Sequence, residues 1–314
     1  MALYDVSTLP IEDFLNYSPS LALAIIAMTL FFLGGVAIAY KTWRRPYRFM
    51  HTMTAVACFE SAGYACLVYD VIMQVFVIMA PNIIQATLYW TVGIVLKFSP
   101  DLTAGRRMLQ GWLITTLFCT SDILGITIQT IGISIWASSQ SSGDPDEEQI
   151  HKGSVITLIG LCLQIIFFFF FTILTIWTHR HQKMALRGRR GTGKLFLGIY
   201  LTMVLLYIRN TFRLIEFAQD TILSWPAPEG TYVLSHQQVL FYTLDTLPIL
   251  MTFAVLLWAH PGSLLPPPGS VLAPAGAHNV VYDPEDPCEG KEASMAAGAS
   301  AGSLQSEAFK VTVA

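Results

Sequence analysis

The sequence predicts an all-α membrane protein: a bundle of seven transmembrane helices, N-terminus extracellular or lumenal and C-terminus cytosolic. Three observations carry this expectation. The chain of 314 residues is 54% hydrophobic and only 12% charged, with a mean hydropathy of +0.54, whereas a soluble domain carries about 25% charged residues. The apolar residues gather into runs of about 20, the length at which a helix crosses a hydrocarbon core of about 30 Å. Finally, the Lys and Arg residues gather in alternate connecting segments, the pattern that fixes which loops stay in the cytosol.

The apolar runs define spans over residues 20–40, 49–69, 71–96, 110–136, 153–177, 194–217 and 237–258, with only "YDV" between the second and third. Between spans one and two, "KTWRRPYR" carries four Lys or Arg; "KFSPDLTAGRR" carries three, and "HRHQKMALRGRRGTGK" six. The N-terminal segment, the turn near Asp70 and the loop 218–236 carry none, and "ASSQSSGDPDEEQIHK" has one lysine among four acids. The basic segments therefore lie inside. The sequon "NYS" makes Asn16 a glycosylation candidate on the outer side.

Three regions follow: an outer N-terminal segment at 1–19, a membrane domain at 20–262 and a cytosolic tail at 263–314. The tail is rich in Pro, Gly and Ala and buries too little apolar surface to fold alone. The acidic N-terminus lacks the basic region of a cleavable signal peptide.

Composition and spacing also exclude several chemistries. A net charge of −3 gives no basic field for nucleic acid,. Cys58, Cys66, Cys119 and Cys162 lie in apolar runs and Cys288 in the tail, with no CxxC or Cys/His spacing for zinc or haem,. No HExxH or HxxxH pattern nominates a metal, no motif nominates a cofactor, and no residue is nominated as catalytic. "GRRGTGK" at 188–194 fails the phosphate-loop pattern because Leu195 follows Lys194,. The run "FFFFF" at 167–171 reads as lipid-facing packing.

The informative residues are polar groups inside the spans. They are Glu60 in span two, Asp122 and Gln129 in span four, Gln164 in span five, Arg209, Arg213 and Glu216 in span six, and Asp245 in span seven. A charge at the bilayer centre costs about 2.5–3.5 kcal/mol on insertion scales, so such groups face the bundle interior, pair with one another and mark substrate or ion pathways. Asp122 and Gln129 are two turns apart, and Arg209, Arg213 and Glu216 form one stripe at i, i+4 and i+7. At about 1.5 Å per residue, Arg209 lies roughly 22 Å from the cytosolic end of span six and Asp245 roughly 12 Å below the outer end of span seven. Both fall in the outer half, so an Arg209–Asp245 pair is expected. Arg213 is expected to pair with Glu216 or Asp245, and Arg213 and Glu216 are placed to snorkel outward. Glu60, Asp122 and Gln164 fall near the midplane. Four carboxylates face two arginines, so a proton, a cation or a bound cationic group meets the excess.

At these residues the sequence resembles the fungal RTA-like, lipid-translocating exporter family of seven-span proteins. The best-matching block is "RNTFRLIEFAQD…LSHQQVLFYTLDTLPILMTFAVLLWAHPGSLL". The family's FR-x-x-E-F, H-E-x-x-x-Y-x-x-D-x-x-P and H-P-G elements fall on Arg209, Phe212, Arg213, Glu216, Phe217, His236, Tyr242, Asp245, Pro248, His260, Pro261 and Gly262. Earlier, "ESAGYA", "APNIIQATLYW", "SDILGITIQTIG" and "GLCLQIIFFFFF" are similar to its elements in spans two to five, so the resemblance runs from about Leu21 to Leu265. Departures stand at Leu67 and Ile94, where the family often has arginine, and at Gln237, where it has glutamate.

The resemblance implies a multi-pass protein of the plasma membrane or endomembranes that exports or translocates lipids or toxic amphiphiles such as sphingoid long-chain bases, conferring resistance. Its partners are then the lipid bilayer and an amphiphilic lipid or drug substrate. Two other classes share the topology. A seven-span receptor or lipid sensor would act on export indirectly, but there is no DRY after span three and no NPxxY in span seven. A microbial rhodopsin would need a lysine in span seven, which has none. An intramembrane enzyme such as a terpene cyclase would use Glu60, Asp122 or Asp245 as a general acid, and the ordered family elements weigh against it.

Overall fold

The structure is a computed structural model that describes residues 21–45, 47–65, 70–99, 110–140, 147–181, 186, 191–222 and 238–266. Asn16, the N-terminal segment, Leu67, His236, Gln237 and the tail beyond 266 lie outside the described residues. Helices α1 (Leu21–Trp43), α2 (His51–Ala65), α3 (Asp70–Lys97), α4 (Gly111–Gln140), α5 (Glu147–Arg180) and α6 (Thr192–Ile222) follow in order. Helix α7 is a continuous run of three segments: Gln238–Leu240, a π-helical segment Phe241–Thr246 and Leu247–Trp258. A short α8 (Pro261–Leu264) closes the described chain, and among the described residues there is no strand.

Each helix packs against its neighbours in the chain, and α7 returns to pack on α1, so the seven form a closed ring. Six stretches are long and apolar enough to cross a membrane: Ala22–Trp43, Met79–Lys97, Gly111–Trp136, Glu148–Arg180, Thr192–Gln219 and Phe241–Leu264. Helix α2 is the exception, with 15 residues in its described span.

The bundle turns its polarity inward. On α6, Leu197, Leu201, Val204, Ile208 and Ile215 are exposed, while Thr202, Leu206, Arg209, Asn210 and Arg213 are buried. Helices α4 and α5 likewise expose Ile123, Leu124, Ile131, Ile159, Ile166, Phe169 and Phe170 and bury Asp122, Gln129 and Gln164. An apolar surface of this extent requires lipid around it, so the chain is a multi-pass membrane protein.

The pentaphenylalanine run divides between these two environments, which corrects the expectation that all of it faces lipid. Phe169 and Phe170 do face outward, but Phe168 and Phe171 are wholly buried. The ring of Phe171 packs edge-on to Tyr89 at 4.5 Å, and Phe168 lies 4.8 Å from the Tyr207 ring. Five consecutive helical residues sweep more than one full turn, so they cannot share one face.

Glycines bring α4 and α5 together. A Cβ on Gly132 would lie 2.7 Å from the Gly153 carbonyl oxygen, and one on Gly160 would lie 3.0 Å from that of Gly125. Gly125 and Gly132 are seven apart, as are Gly153 and Gly160, so each pair lies on one helix face and the two faces meet as a seam. Helix α5 starts six residues before the expected span. Glu148 in its first turn complements the helix dipole, and Lys152 pairs with it at 2.6 Å on the exposed surface,.

At the end of the bundle where α1 and α7 finish and α6 begins, the chain is clamped. The Lys41 ammonium donates to the Leu257 carbonyl at 2.5 Å, Thr42 Oγ1 lies 3.1 Å from His260 Nε2, and the Lys194 ammonium sits 4.8 Å from the Trp258 ring centroid. The Tyr47 hydroxyl donates to the Pro266 carbonyl. Burial pushes this phenol up to about 12, so it stays a donor at neutral pH,. Packing continues through Leu265 and Pro266, which are themselves buried.

Candidate functional site

Helix α6 presents its polar stripe to α7 at the π-helical segment. Within that segment the Leu247 N–H donates to the Tyr242 carbonyl, five residues back. Pro248 supplies the cause. It has no N–H to give residue 244, and in an α-helix its ring would strike that carbonyl. The wider π turn moves the carbonyl away. The turn also directs Asp245, fully buried, at the α6 stripe.

There Asp245 meets both arginines. Arg213 Nε donates to its Oδ1 at 2.9 Å and Arg213 Nη2 to its Oδ2 at 3.1 Å, a bidentate fork,. Arg209 Nε lies 2.9 Å from the same Oδ1 as an ion-pair contact. Arg213 Nη1 donates to Glu216 Oε2 at 3.1 Å, and the guanidinium lies 5.3 Å from the Phe241 ring centroid. The expected Arg209–Asp245 pair is thus present, and Arg213 holds both carboxylates offered to it. Snorkelling is the expectation that fails: the Arg213 side chain is 1% exposed and that of Glu216 only 11%. An arginine held by two carboxylates inside the bundle has no reason to reach for the surface.

Glu60 lies beside this cluster. It is buried, within electrostatic reach of Asp245, Arg209 and Arg213, yet neither of its oxygens accepts a hydrogen bond. One turn further along α2, the Tyr64 and Thr246 hydroxyls bond each other at 2.5 Å, tying α2 to the π segment.

The remaining expected residues form a second group across α3, α4 and α5. Gln129 Nε2 donates to Gln164 Oε1 at 2.9 Å, and Gln164 Nε2 donates to Gln85 Oε1 at 3.3 Å. The Tyr89 phenol lies 3.4 Å from the same Gln85 oxygen and faces the Asp122 carboxylate. The sequence reading brought Gln129 and Gln164 forward but passed over Gln85 and Tyr89. Their signal was available: Gln85 and Tyr89 are one turn apart in "IIQATLYW", so both fall on one face,. Thr246 and the π turn were also missed, and Pro248 inside a helical run was the signal for the latter. Ile94, where the family often has arginine, is half-buried on α3.

Two separate buried polar groups inside a lipid-facing bundle define a polytopic helical membrane protein with a charged interior. The chain belongs to the family described as RTA1 like protein, whose model matches residues 53–267 and so takes in both buried polar groups. It is 30% identical over 216 residues to "Probable lipid transporter atnI" of Emericella nidulans, a match over 64% of this chain and 52% of that protein. It is 23% identical over 280 residues to "Lipid-translocating exporter-like protein RTA1" of Leptosphaeria maculans, over 80% of this chain and 51% of that protein. It is 25% identical over 185 residues to "Protoporphyrin uptake protein 1" of Saccharomyces cerevisiae, over 58% of this chain and 55% of that protein. The chain spans about half the length of these curated relatives. No solved structure matches it.

Proposed function

We propose that this protein is a transporter that moves amphiphilic lipids, or toxic amphiphiles of similar build, between the leaflets of its membrane. The observation that carries the reading is the charged cluster of Arg209, Arg213, Glu216 and Asp245, buried where α6 meets the π segment of α7. A headgroup crossing about 30 Å of hydrocarbon needs polar groups at depth, and this cluster lies within the family-matched region. The relatives named for lipid transport and lipid translocation support the same class and weigh against an enzyme.

The relative named for protoporphyrin uptake raises a second reading, an anionic amphiphile taken up at the arginines. Here both arginines are already held by carboxylates, which favours a neutral or cationic headgroup. We also propose that the end carrying Lys41, Arg44, Lys97, Arg180 and Lys194 is cytosolic, with the N-terminus outside. The basic loops support this orientation, and the exposed Trp43, Trp112 and Trp258 near these helix ends suit a membrane–water interface,. A cell-efflux assay with a labelled sphingoid base tests the transport reading. Cells expressing the chain lose the base faster than cells without it, and equal retention at equal surface expression refutes the reading.

A further inference from the structure

We infer that Glu60 is the headgroup site: the bundle leaves this buried carboxylate uncompensated, and the primary ammonium group of an amphiphile is what compensates it. The inference rests on the transport reading and adds the residue that binds.

The charge balance leads to this residue. In the α6–α7 cluster two guanidiniums meet Asp245 and Glu216 through contacts of 2.9–3.1 Å. Both carboxylates of the cluster are thus held by arginine. Glu60 is 1% exposed and neither oxygen accepts a hydrogen bond. The charged and titratable groups that face it are Arg209 and Arg213 from α6, Asp245 from α7 and Tyr64 from its own helix. Asp245 opposes the two arginines at Glu60. The nearby hydroxyls of Tyr64 and Thr246 are engaged with each other. A buried carboxylate with no protein partner is met by a proton or a cation, and a primary ammonium brings three donors to an acceptor with only acceptor capacity.

Asp122 is the other buried carboxylate outside the cluster, and its oxygens likewise accept no hydrogen bond, but its setting differs. It faces the Tyr89 phenol, one turn before Gly125 in the closed α4–α5 seam. Glu60 instead lies on α2, which is tied to the π segment of α7 through Tyr64 and Thr246. A π turn is an insertion that can migrate or be absorbed, so it is a natural place for a bundle to change register.

The test uses the full chain purified in detergent and then reconstituted. Equilibrium binding of a fluorescent sphingoid base with a free amine is compared with that of its N-acetylated analogue, for the wild type, Glu60→Gln and Glu60→Asp. The expected result is amine binding weakened about 10- to 100-fold by Glu60→Gln, with the N-acetylated analogue unchanged and Glu60→Asp intermediate. Thermal unfolding of Glu60→Gln should match or exceed that of the wild type, since no native partner is lost. Equal amine binding by wild type and Glu60→Gln overturns the inference and leaves the carboxyl carrying a proton alone. Loss of both ligands together also overturns it, since that marks a structural role. If amine binding depends on Glu60 but wild-type proteoliposomes move neither lipid, the transport reading fails while the site stands.

Discussion

Asp245 holds two arginines at once, and that decides what its replacement does. Asp245→Asn leaves two guanidiniums buried with a weaker acceptor, and breaking a buried pair from one side costs about 3–5 kcal/mol. The expected outcome is a sharp loss of folded protein, read as a lower unfolding temperature and poor recovery in detergent. Glu216→Gln should cost distinctly less, because Arg213 keeps its bidentate fork on Asp245. In the second polar group, Gln164 both accepts from Gln129 and donates to Gln85. Gln164→Leu leaves the Gln129 amide without its acceptor and Gln85 with the Tyr89 phenol alone, and should destabilise by about 1–3 kcal/mol in the same unfolding assay,. Span positions and depth made the Arg209–Asp245 pair legible in the sequence, since each needs only a rise per residue. Which carboxylates stay without a hydrogen-bond partner, Glu60 and Asp122, was not legible. That depends on side-chain rotamers and on helix rotation, and the π turn resets the rotation.

At the scale of elements, α7 is shaped by Pro248 and the α4–α5 seam by glycine. Pro248→Ala removes the ring that excludes an α-helical turn. The segment 241–246 should then tighten to α-helix, which changes the register by one residue and turns Asp245 about 100° about the helix axis relative to the part beyond. A structure of this variant checks it: the Leu247 N–H should bond the carbonyl of residue 243 in place of that of Tyr242. In the seam, Gly132→Leu forces apart backbones that now nearly touch, and overpacking of this kind costs about 1–3 kcal/mol or more. Loss of monodisperse protein on size exclusion is the expected sign. Helix ends in the structure fall within a few residues of the apolar runs, except where α5 begins early, with Glu148 in its first turn. Apolar length sets where a helix must be, but acids in a first turn extend it into the interface. The Phe168 and Phe171 rings taught a related lesson, since composition alone does not assign a face.

For the whole molecule, the ring of seven helices follows from short connections, an apolar exterior and polar groups with nowhere else to go. The sequence carried the class of architecture because each span is a local property. It did not carry the two-group division of the polar interior, α2–α6–α7 on one side and α3–α4–α5 on the other, because that is set by which helices become neighbours when the ring closes. The basic loops make a prediction at this scale. Single cysteines introduced near Lys97 and Lys194 should resist a membrane-impermeant thiol reagent in intact cells and react once the cells are opened. The central claim, that the bundle moves amphiphilic lipid, is tested most directly in liposomes holding only this protein and a fluorescent sphingoid base. Transfer of the base between leaflets, followed by quenching from outside, should be faster with wild-type protein than in protein-free liposomes. It should fall toward the protein-free rate with Glu60→Gln. A wild-type rate equal to the protein-free rate, with the protein shown folded, would contradict the account.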